Sequence, residues 1–496
     1  MGHRQADGAG RRQRREWRVW LVAVVGVAAT AVIAWHTISP PAPTHSAIRS
    51  VVLVTIDTLR ADHLSAYGYQ RATSPQLDAF MARGTRFAWA LSAAPTTAPS
   101  HVAMMTGLYP GFTTVGVLNG QFPLSPEAST LAELCREAGL RTAAVVSNAV
   151  LMRPLGLDQG FDSYDDDLED RELNRVWAER TAARAVPKAL AQLAQLRGSP
   201  FFLWLHFQEP HGPYAPPTPW AQAFAGDSLR LGPNPELPVG ADNSGLHSIP
   251  AYQRFDDERR PDQYVRRYDA EIAYLDSELA RLFDLMTGSG LLQDTLVVIT
   301  ADHGEALGED DFYFAHGHSL GLDQLHVPLA MIGPGIAAGA VRQRAVSNIT
   351  VFCTILNALG LSQEQRCEQS DSIWASLLAG EEPPAMLGYA GSVTQWATFQ
   401  AGWFLRRDAY APEAPVFAPA GDPVTDTRYR PLGEQLAVLT GERAPEPQEQ
   451  GQIRQALGDF ISRAETARNA LASKRQPAAA LPPEQKERLR LLGYLR

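Results

Sequence analysis

Val51-Val52-Leu53-Val54-Thr55-Ile56 is an apolar, β-branched run that stops on Asp57. Two other runs behave in the same way. Phe201–Leu205 leads within a few residues to Glu209 and His211, and Thr295–Thr300 runs into Asp302 and His303. Short apolar runs of this kind read as parallel strands buried on both faces. Open α/β sheets bind ligands just beyond the carboxyl ends of their strands. Three runs ending on acids and imidazoles therefore point to one crevice with a metal-centred site.

Working outward, strand-like and helix-like patterns alternate from Val51 onward. This predicts an α/β fold with a mostly parallel central sheet and helices on both faces. Leu131–Ala138, followed by Gly139, predicts a helix that feeds a strand at Thr142–Val146. Val265, Tyr268, Ile272, Leu275, Leu279, Leu282 and Met286 recur at three- and four-residue steps, the mark of a long amphipathic helix. Between Pro210 and Pro261 the pattern dissolves into proline, glycine and polar residues, a long loop over the strand ends. The texture changes again after about residue 380. The expected division is a catalytic domain over 50–380 and a small C-terminal subdomain and tail over 381–496, the former α/β and the latter with an antiparallel sheet. Ile453–Ala472 reads as helical, and Pro482–Leu495 as a second amphipathic helix or a docking tail.

The chain has 496 residues, a formal charge of −10 and a pI near 5.7, and 45% of its residues are hydrophobic. That is ample material for a large core. The acidic balance argues against a nucleic-acid partner, which demands clustered Lys and Arg. Three cysteines, Cys135, Cys353 and Cys367, are too few for a disulfide framework and lack zinc-finger spacing. Cys135 shares a helical face with Leu131, Leu134 and Ala138 and reads as a core thiol. Cys353 and Cys367 are available to pair in an oxidising compartment.

Residues 1–18 form a basic tail with Arg11, Arg12, Arg14, Arg15 and Arg18, and Val19 to Trp35 carries no charge. Extended to Ile38, the stretch reaches about 20 residues, the length of a transmembrane helix. Trp17, Trp20 and Trp35 stand near its ends, where indoles favour the membrane interface. The positive-inside rule then keeps the arginines cytoplasmic and the rest of the chain extracytoplasmic or periplasmic. Cleavage as a signal peptide is the alternative, since alanines from Ala28 to Ala34 offer small-residue sites. Residues 39–49, with Pro40, Pro41 and Pro43, form a linker. Fully extended it spans at most about 35 Å, which would hold the catalytic body near the bilayer.

Asp57 and Asp302 follow strands, so their carboxylates can enter the crevice together with His303. Taken singly, each has a plainer reading, Asp57 as a cap and Asp302 as a turn residue. Two carboxylates, an imidazole and a hydroxyl suit a divalent cation of the Zn, Mn, Mg or Ca kind. Thr97 is the candidate nucleophile. Pro99 suits the first turn of a helix and Gly107 its end, which places Thr97 at the helix entrance with amides of Ser100 and His101 open to an anion. A threonine hydroxyl needs a base or a metal to become nucleophilic, and the plainer reading is a helix cap.

With these residues in view, the sequence resembles the sulfatase branch of the alkaline phosphatase superfamily. The resemblance covers roughly Ser50 to Leu361 and is carried by motifs in order. They are Val52–Leu64 around Asp57, Thr73–Asp78 with Gly84–Phe87, Thr97–His101 with Leu108–Pro110, Gly160–Asp162, Glu209–Tyr214, Asp302–Glu305, His316–His318 and Val327–Leu329. It implies metal ligation by Asp57, Thr97, Asp302 and His303. It also implies catalysis by Thr97 with His211 and His318, and substrate contacts from His101, Asn148, His211 and His316. Glu209, His211 and His318 are the right types for a second metal, and Glu305 for support of the site. His206 alternates with strand residues and reads as packed.

The chain departs from familiar sulfatases, which have Cys or Ser at the Thr97 position, converted to formylglycine. They also carry Arg at that of His101, a second Asp at that of Thr58 and an Asn-like residue at that of His303. Threonine cannot form the aldehyde through which such enzymes expel sulfate, whereas a phosphorylated threonine can be attacked at phosphorus. The Asp57, Thr97, Asp302 and His303 set is also similar to that of nucleotide pyrophosphatase/phosphodiesterases and of transferases acting on envelope lipids and polymers. The expectation is a membrane-anchored metal-dependent hydrolase of phosphate esters or diesters on a small molecule, lipid or glycan. The alternatives are a sulfuric ester hydrolase, a phospho-group transferase and a non-catalytic envelope scaffold.

Overall fold

The apolar runs fold as the sheet they predict. The computed structural model describes residues 48–472 apart from 117–121, 230–233, 362–366, 392–394, 401–402, 409–426, 432–446 and the single positions 176, 228, 242 and 244. Strands β1 (Ser50–Ile56), β2 (Thr85–Phe87), β3 (Arg141–Val145), β4 (Ser163–Asp165), β5 (Phe201–Phe207), β6 (Thr295–Ala301), β7 (Leu329–Ile332) and β8 (Ala340–Arg342) form one sheet. Its order is β8-β2-β7-β6-β1-β5-β3-β4. Strand β7 is antiparallel to both neighbours, and the other pairings are parallel.

β1 lies between β5 and β6, with Val52 opposite Leu203 on one side and Val297 on the other. Every residue of these three strands is buried. Because successive side chains point to opposite faces, both faces of the sheet centre are covered. Each apolar side chain so buried contributes about 1.5–3 kcal/mol, and Leu53→Ala would cost roughly 2–5 kcal/mol. The parallel register also brings the ends of β1, β5 and β6 to one edge.

The longer helices among the described residues are α1 (Pro75–Met81), α2 (Thr97–Thr106), α3 (Leu131–Glu137), α4 (Ala182–Leu196), α5 (Pro261–Gly288), α6 (Thr350–Ala358) and α7 (Pro447–Ala472). α3 opens with a capping box, in which the Thr130 hydroxyl accepts the Glu133 amide and the Glu133 carboxylate accepts the Thr130 amide. α5 is the long amphipathic helix of the Val265–Met286 pattern and begins with Pro261 at its first position. α2 is buried along its whole length and ends at Gly107 with φ 69°. A Cβ there would stand 2.6 Å from Phe352 of α6, so glycine answers both the backbone and the close approach. Cys353 of α6 is disulfide-bonded to Cys367, and Cys135 is a buried free thiol.

The segment between Pro210 and Pro261 contains no α-helix or strand among the described residues, only short 3-10 turns at Trp220–Gln222 and Ala251–Gln253. Beyond it, β9 (Gly388–Gly391), β10 (Gln395–Gln400), β11 (Trp403–Asp408) and β12 (Thr427–Pro431) form an antiparallel meander. α7 begins at Pro447, upstream of the expected Ile453, and packs Ile453, Leu457, Phe460 and Ala464 against Ala103, Tyr109 and Tyr389. The predicted basic tail, the membrane span 19–38, most of the linker and the Pro482–Leu495 tail lie outside the described residues. Among the described residues no helix is long and apolar enough to cross a membrane.

Candidate active site

Where β1 and β6 end, Asp57, Asp302 and His303 are fully buried and come together. His303 is the hub. Its Nδ1 lies 2.8 Å from the Gly304 carbonyl, which only accepts, so the neutral ring carries its proton there and offers Nε2 as a lone pair. That Nε2 stands 3.2 Å from Thr97 Oγ1, 3.5 Å from Asp302 Oδ2 and 3.9 Å from Asp57 Oδ1. Asp302 is set by its other oxygen, which accepts the amides of His303 at 2.8 Å and Thr58 at 3.2 Å. Asp57 is set by the Asn148 side chain, which donates to Oδ2 at 2.8 Å.

Thr58 holds the turn after β1 at φ 53°, a region a β-branched residue rarely enters. Strain of this kind is worth about 1–3 kcal/mol and persists when neighbours fix it. Here Tyr268 of α5 donates its hydroxyl to the Thr58 carbonyl at 2.7 Å, while the Thr58 amide donates to Asp302.

The donor set fits a cation. Asp57 Oδ1 and Asp302 Oδ2 are buried without a hydrogen-bond partner, and their ion-pair neighbours are histidines. Burial pushes the Asp57 carboxyl up to about 7, with His303 pulling the other way. Ligands held at zinc-like bond lengths of about 2.1 Å in a tetrahedron stand roughly 3.4 Å apart. The 3.2 and 3.5 Å separations around His303 Nε2 lie close to that spacing, and the 3.9 Å one to Asp57 is wider. Two carboxylate oxygens, one imidazole nitrogen and one hydroxyl are ligands for Zn²⁺, Mn²⁺ or Mg²⁺.

Thr97 is the first residue of α2, and the Ser100 amide is not open to an anion as the sequence suggested. It donates to the Thr96 carbonyl at 3.1 Å. His101 is fully buried behind Thr97. Its Nδ1 donates to the Thr97 carbonyl at 2.8 Å and its Nε2 accepts from the Thr55 hydroxyl at 3.0 Å. Burial holds this imidazole down at about 3, so it is neutral and orients the Thr97 turn. Asn148 donates one amide hydrogen to Asp57 and accepts the Val150 amide at 3.0 Å with its carbonyl.

A second group of histidines faces the centre. The His316 ring lies 4.5 Å from that of His303 and 5.3 Å from that of His211. Glu305 Oε1 fixes His316 through Nδ1 at 3.0 Å, which turns Nε2 into an acceptor. His211 has the opposite tautomer. The Gln208 amide donates to its Nδ1 at 3.1 Å, so its proton sits on Nε2. Burial holds His316 down at about 4 and His211 well below the usual imidazole range, so both are neutral. His318 is turned elsewhere. Its ring stacks on Phe312 at 3.6 Å and its Nε2 accepts from Gln324 at 3.2 Å.

Glu209, His211 and His318, the possible second metal group, do not come together as an ion-holding set among the described residues. Among the described residues, the His/Cys/Asp/Glu groups close enough to hold an ion are Asp57–Asp302–His303 and His101–His206–Asp302. Glu209 instead turns to the start of α4, where Oε1 accepts the Ala182 amide at 2.8 Å, and burial pushes its carboxyl up to about 7. Two functional features escaped the sequence reading: the pairing of Glu305 with His316 rather than His318 as partner, and the place of His206 beside Asp57. The Asp302–Glu305 and His316–His318 motifs named the segments, but nothing in their spacing says which ring faces inward.

Fold and site together define a hydrolase with a buried carboxylate–imidazole centre at the carboxyl edge of a mostly parallel sheet. The chain belongs to the sulfatase family, whose model, described as Sulfatase, matches residues 49–361. It is 23% identical over 366 residues to a sulfatase of Formosa agariphila, covering 64% of this chain and 71% of that protein. It is 31% identical over 207 residues to a choline-sulfatase of Rhizobium meliloti, covering 39% of each. Among solved structures, one of a protein in complex with its substrate D-glucosamine-2-N,6-O-disulfate is similar at a TM-score of 0.65 and 16% identity, covering 84% of this chain and 98% of that one. A phosphonate monoester hydrolase from Silicibacter pomeroyi is similar at a TM-score of 0.61 and 19% identity, covering 86% and 97%.

Proposed function

We propose that this protein hydrolyses phosphate esters or diesters of a small molecule, lipid or glycan through Thr97. The supporting observation is the convergence of Thr97 Oγ1, Asp302 Oδ2 and Asp57 Oδ1 on His303 Nε2 at 3.2, 3.5 and 3.9 Å. Asp57, Thr97, Asp302 and His303 would hold a divalent cation of the Zn, Mn, Mg or Ca kind. Such an ion lowers the pKa of a bound hydroxyl and offsets charge on the ester oxygens. Thr97 Oγ1 then forms a bond to phosphorus as the bond to the leaving oxygen breaks. The proton leaving Thr97 passes to His316 Nε2 and on to that oxygen, to which His211, protonated on Nε2, donates a hydrogen bond. In the second half, water attacks phosphorus, and His316 Nε2 accepts its proton and returns it to Thr97 Oγ1 as that oxygen departs. Phosphorus is preferred over sulfur because a threonine ester offers no aldehyde exit.

The relatives named above favour a second reading, sulfuric ester hydrolysis by the same residues. A panel of nitrophenyl sulfate, nitrophenyl phosphate and bis-nitrophenyl phosphate, with Thr97→Ala as control, separates the two. Turnover of a phosphate ester that falls by at least about 10³-fold in Thr97→Ala is expected. Turnover of the sulfate alone would overturn the phosphoryl reading.

The same proposal places the catalytic body outside the cytoplasm, anchored by residues 19–38. The charge-free stretch behind Arg11–Arg18 supports it, as does the Cys353–Cys367 disulfide, a bond of oxidising compartments. Protease accessibility of the body in intact cells tests it, and protection would place the body inside.

A further inference from the structure

His211 and His316 come from separate segments of the chain, yet their rings lie 5.3 Å apart. Between the two segments sits Gln253, the last residue of the 3-10 turn Ala251–Gln253 in the long loop before α5. It is 2% exposed. A side-chain amide buried so deeply needs partners for both of its ends. Gln253 Oε1 accepts the Tyr214 amide at 3.3 Å, and Nε2 donates to the Phe314 carbonyl at 3.1 Å. A backbone N–H only donates and a backbone carbonyl only accepts, so these partners fix which way the amide faces.

The bridge ties one histidine segment to the other, since Tyr214 follows His211 and Phe314 precedes His316. Each anchor is reinforced. Phe314 stands at φ 54°, a region bulky residues rarely enter, and its carbonyl also accepts the Tyr252 hydroxyl at 2.9 Å. Tyr214, held through its amide by Gln253, donates its hydroxyl to Glu305, the carboxylate that orients His316. Gly212, the residue next to His211, completes the contact. A Cβ there would stand 1.8 Å from Gln253 Nε2, so only glycine lets the amide pass this close.

We propose that Gln253 is a positioning residue for ester hydrolysis. It sets the spacing of His211 and His316, and so the path by which the Thr97 proton reaches the leaving oxygen. The inference rests on the hydrolytic reading above and adds to it a residue that acts through the two histidines.

The test compares nitrophenyl and unsubstituted phenyl versions of whichever ester the full-length protein turns over. Nitrophenolate departs without a proton, whereas phenolate departs well only when one is delivered. Gln253→Met keeps the length of the side chain and removes both hydrogen bonds. It should lower kcat on the phenyl ester at least about ten-fold more than on the nitrophenyl ester, with KM changed less than about three-fold. Gln253→Glu keeps the acceptor for the Tyr214 amide. It should show the same selectivity to a smaller extent, and it carries the test if Gln253→Met does not fold. Equal losses on the two esters would reveal a purely structural role and overturn the inference, as would an undiminished kcat on the phenyl ester in a folded variant. Failure of the unmodified protein to turn over any phosphate or sulfate ester would instead sink the hydrolytic reading, and this inference with it.

Discussion

His316 gives its Nδ1 proton to Glu305 Oε1 across 3.0 Å, and Tyr214 donates its hydroxyl to the other oxygen of that carboxylate at 3.1 Å. The carboxylate thus fixes both the tautomer and the plane of the imidazole beside His303. His316→Ala is expected to lower kcat by roughly 10²–10⁴-fold. Glu305→Gln should lower it by about 10–100-fold, because the amide still accepts but holds the ring less firmly. Steady-state kinetics on whichever ester is turned over measures both. Unimpaired turnover by His316→Ala would remove that residue from the chemistry.

Asp57 and Asp302 lie buried with unpartnered oxygens, so a cation that binds the native chain but not the unfolded one must stabilise it. At a hundred times its dissociation constant the gain is about 2.7 kcal/mol. Thermal melts of the chelated protein should rise on adding Zn²⁺ or Mn²⁺. Asp57→Asn should abolish that rise and melt no lower than the unmodified chain without metal, since the amide needs no ionisation in a buried place. A melt insensitive to every divalent ion would contradict this.

Glu179 carries a pH dependence. Burial, reinforced by neighbouring Glu172 and Glu209, pushes its carboxyl from 4.5 up to about 8. The native state then binds a proton that the unfolded chain has already lost, so stability falls as pH rises between those values. The contribution is fully present below about pH 4.5 and is lost as pH passes through about 8. Melting temperature across this window should decline in the unmodified protein and decline less in Glu179→Gln. Parallel curves would show that Glu179 titrates normally.

The Cys353–Cys367 bridge closes a short loop at α6, the helix whose Phe352 abuts Gly107 at the end of α2. A loop of this size is worth about 3 kcal/mol through the unfolded chain. Cys367→Ser, or reduction by a thiol, should lower the melting temperature accordingly. One free thiol, Cys135, is expected in the unreduced purified protein, and three would refute the pairing.

Much of the fold was legible in the sequence because burial on both faces of a parallel strand leaves an unmistakable apolar run. β1, β5 and β6, the Val265–Met286 helix and the acids after the strands were all readable in this way. The reversal of β7 was not, since an isolated four-residue strand has the same pattern in either direction. The choice of His316 over His318 was also hidden. Their segment follows Asp310, Asp311 and Phe314, all at positive φ, and such backbone reversals rotate the following rings in ways composition does not encode. Strand alternation predicts a packed His206, because it reports the face a side chain takes and not whether its polar atoms find partners there. The Pro210–Pro261 loop was recognised by its lack of periodicity, and the same lack gave no account of its path.

α7 stacks Phe460 on Tyr389 at 3.8 Å and sets it edge-on to Tyr109, just past the helix that begins with Thr97. α7 therefore works as a wedge behind α2. A protein cut short before Pro447 would expose that aromatic seat to water, and the Thr97 hydroxyl would rest on a support with its back wall removed.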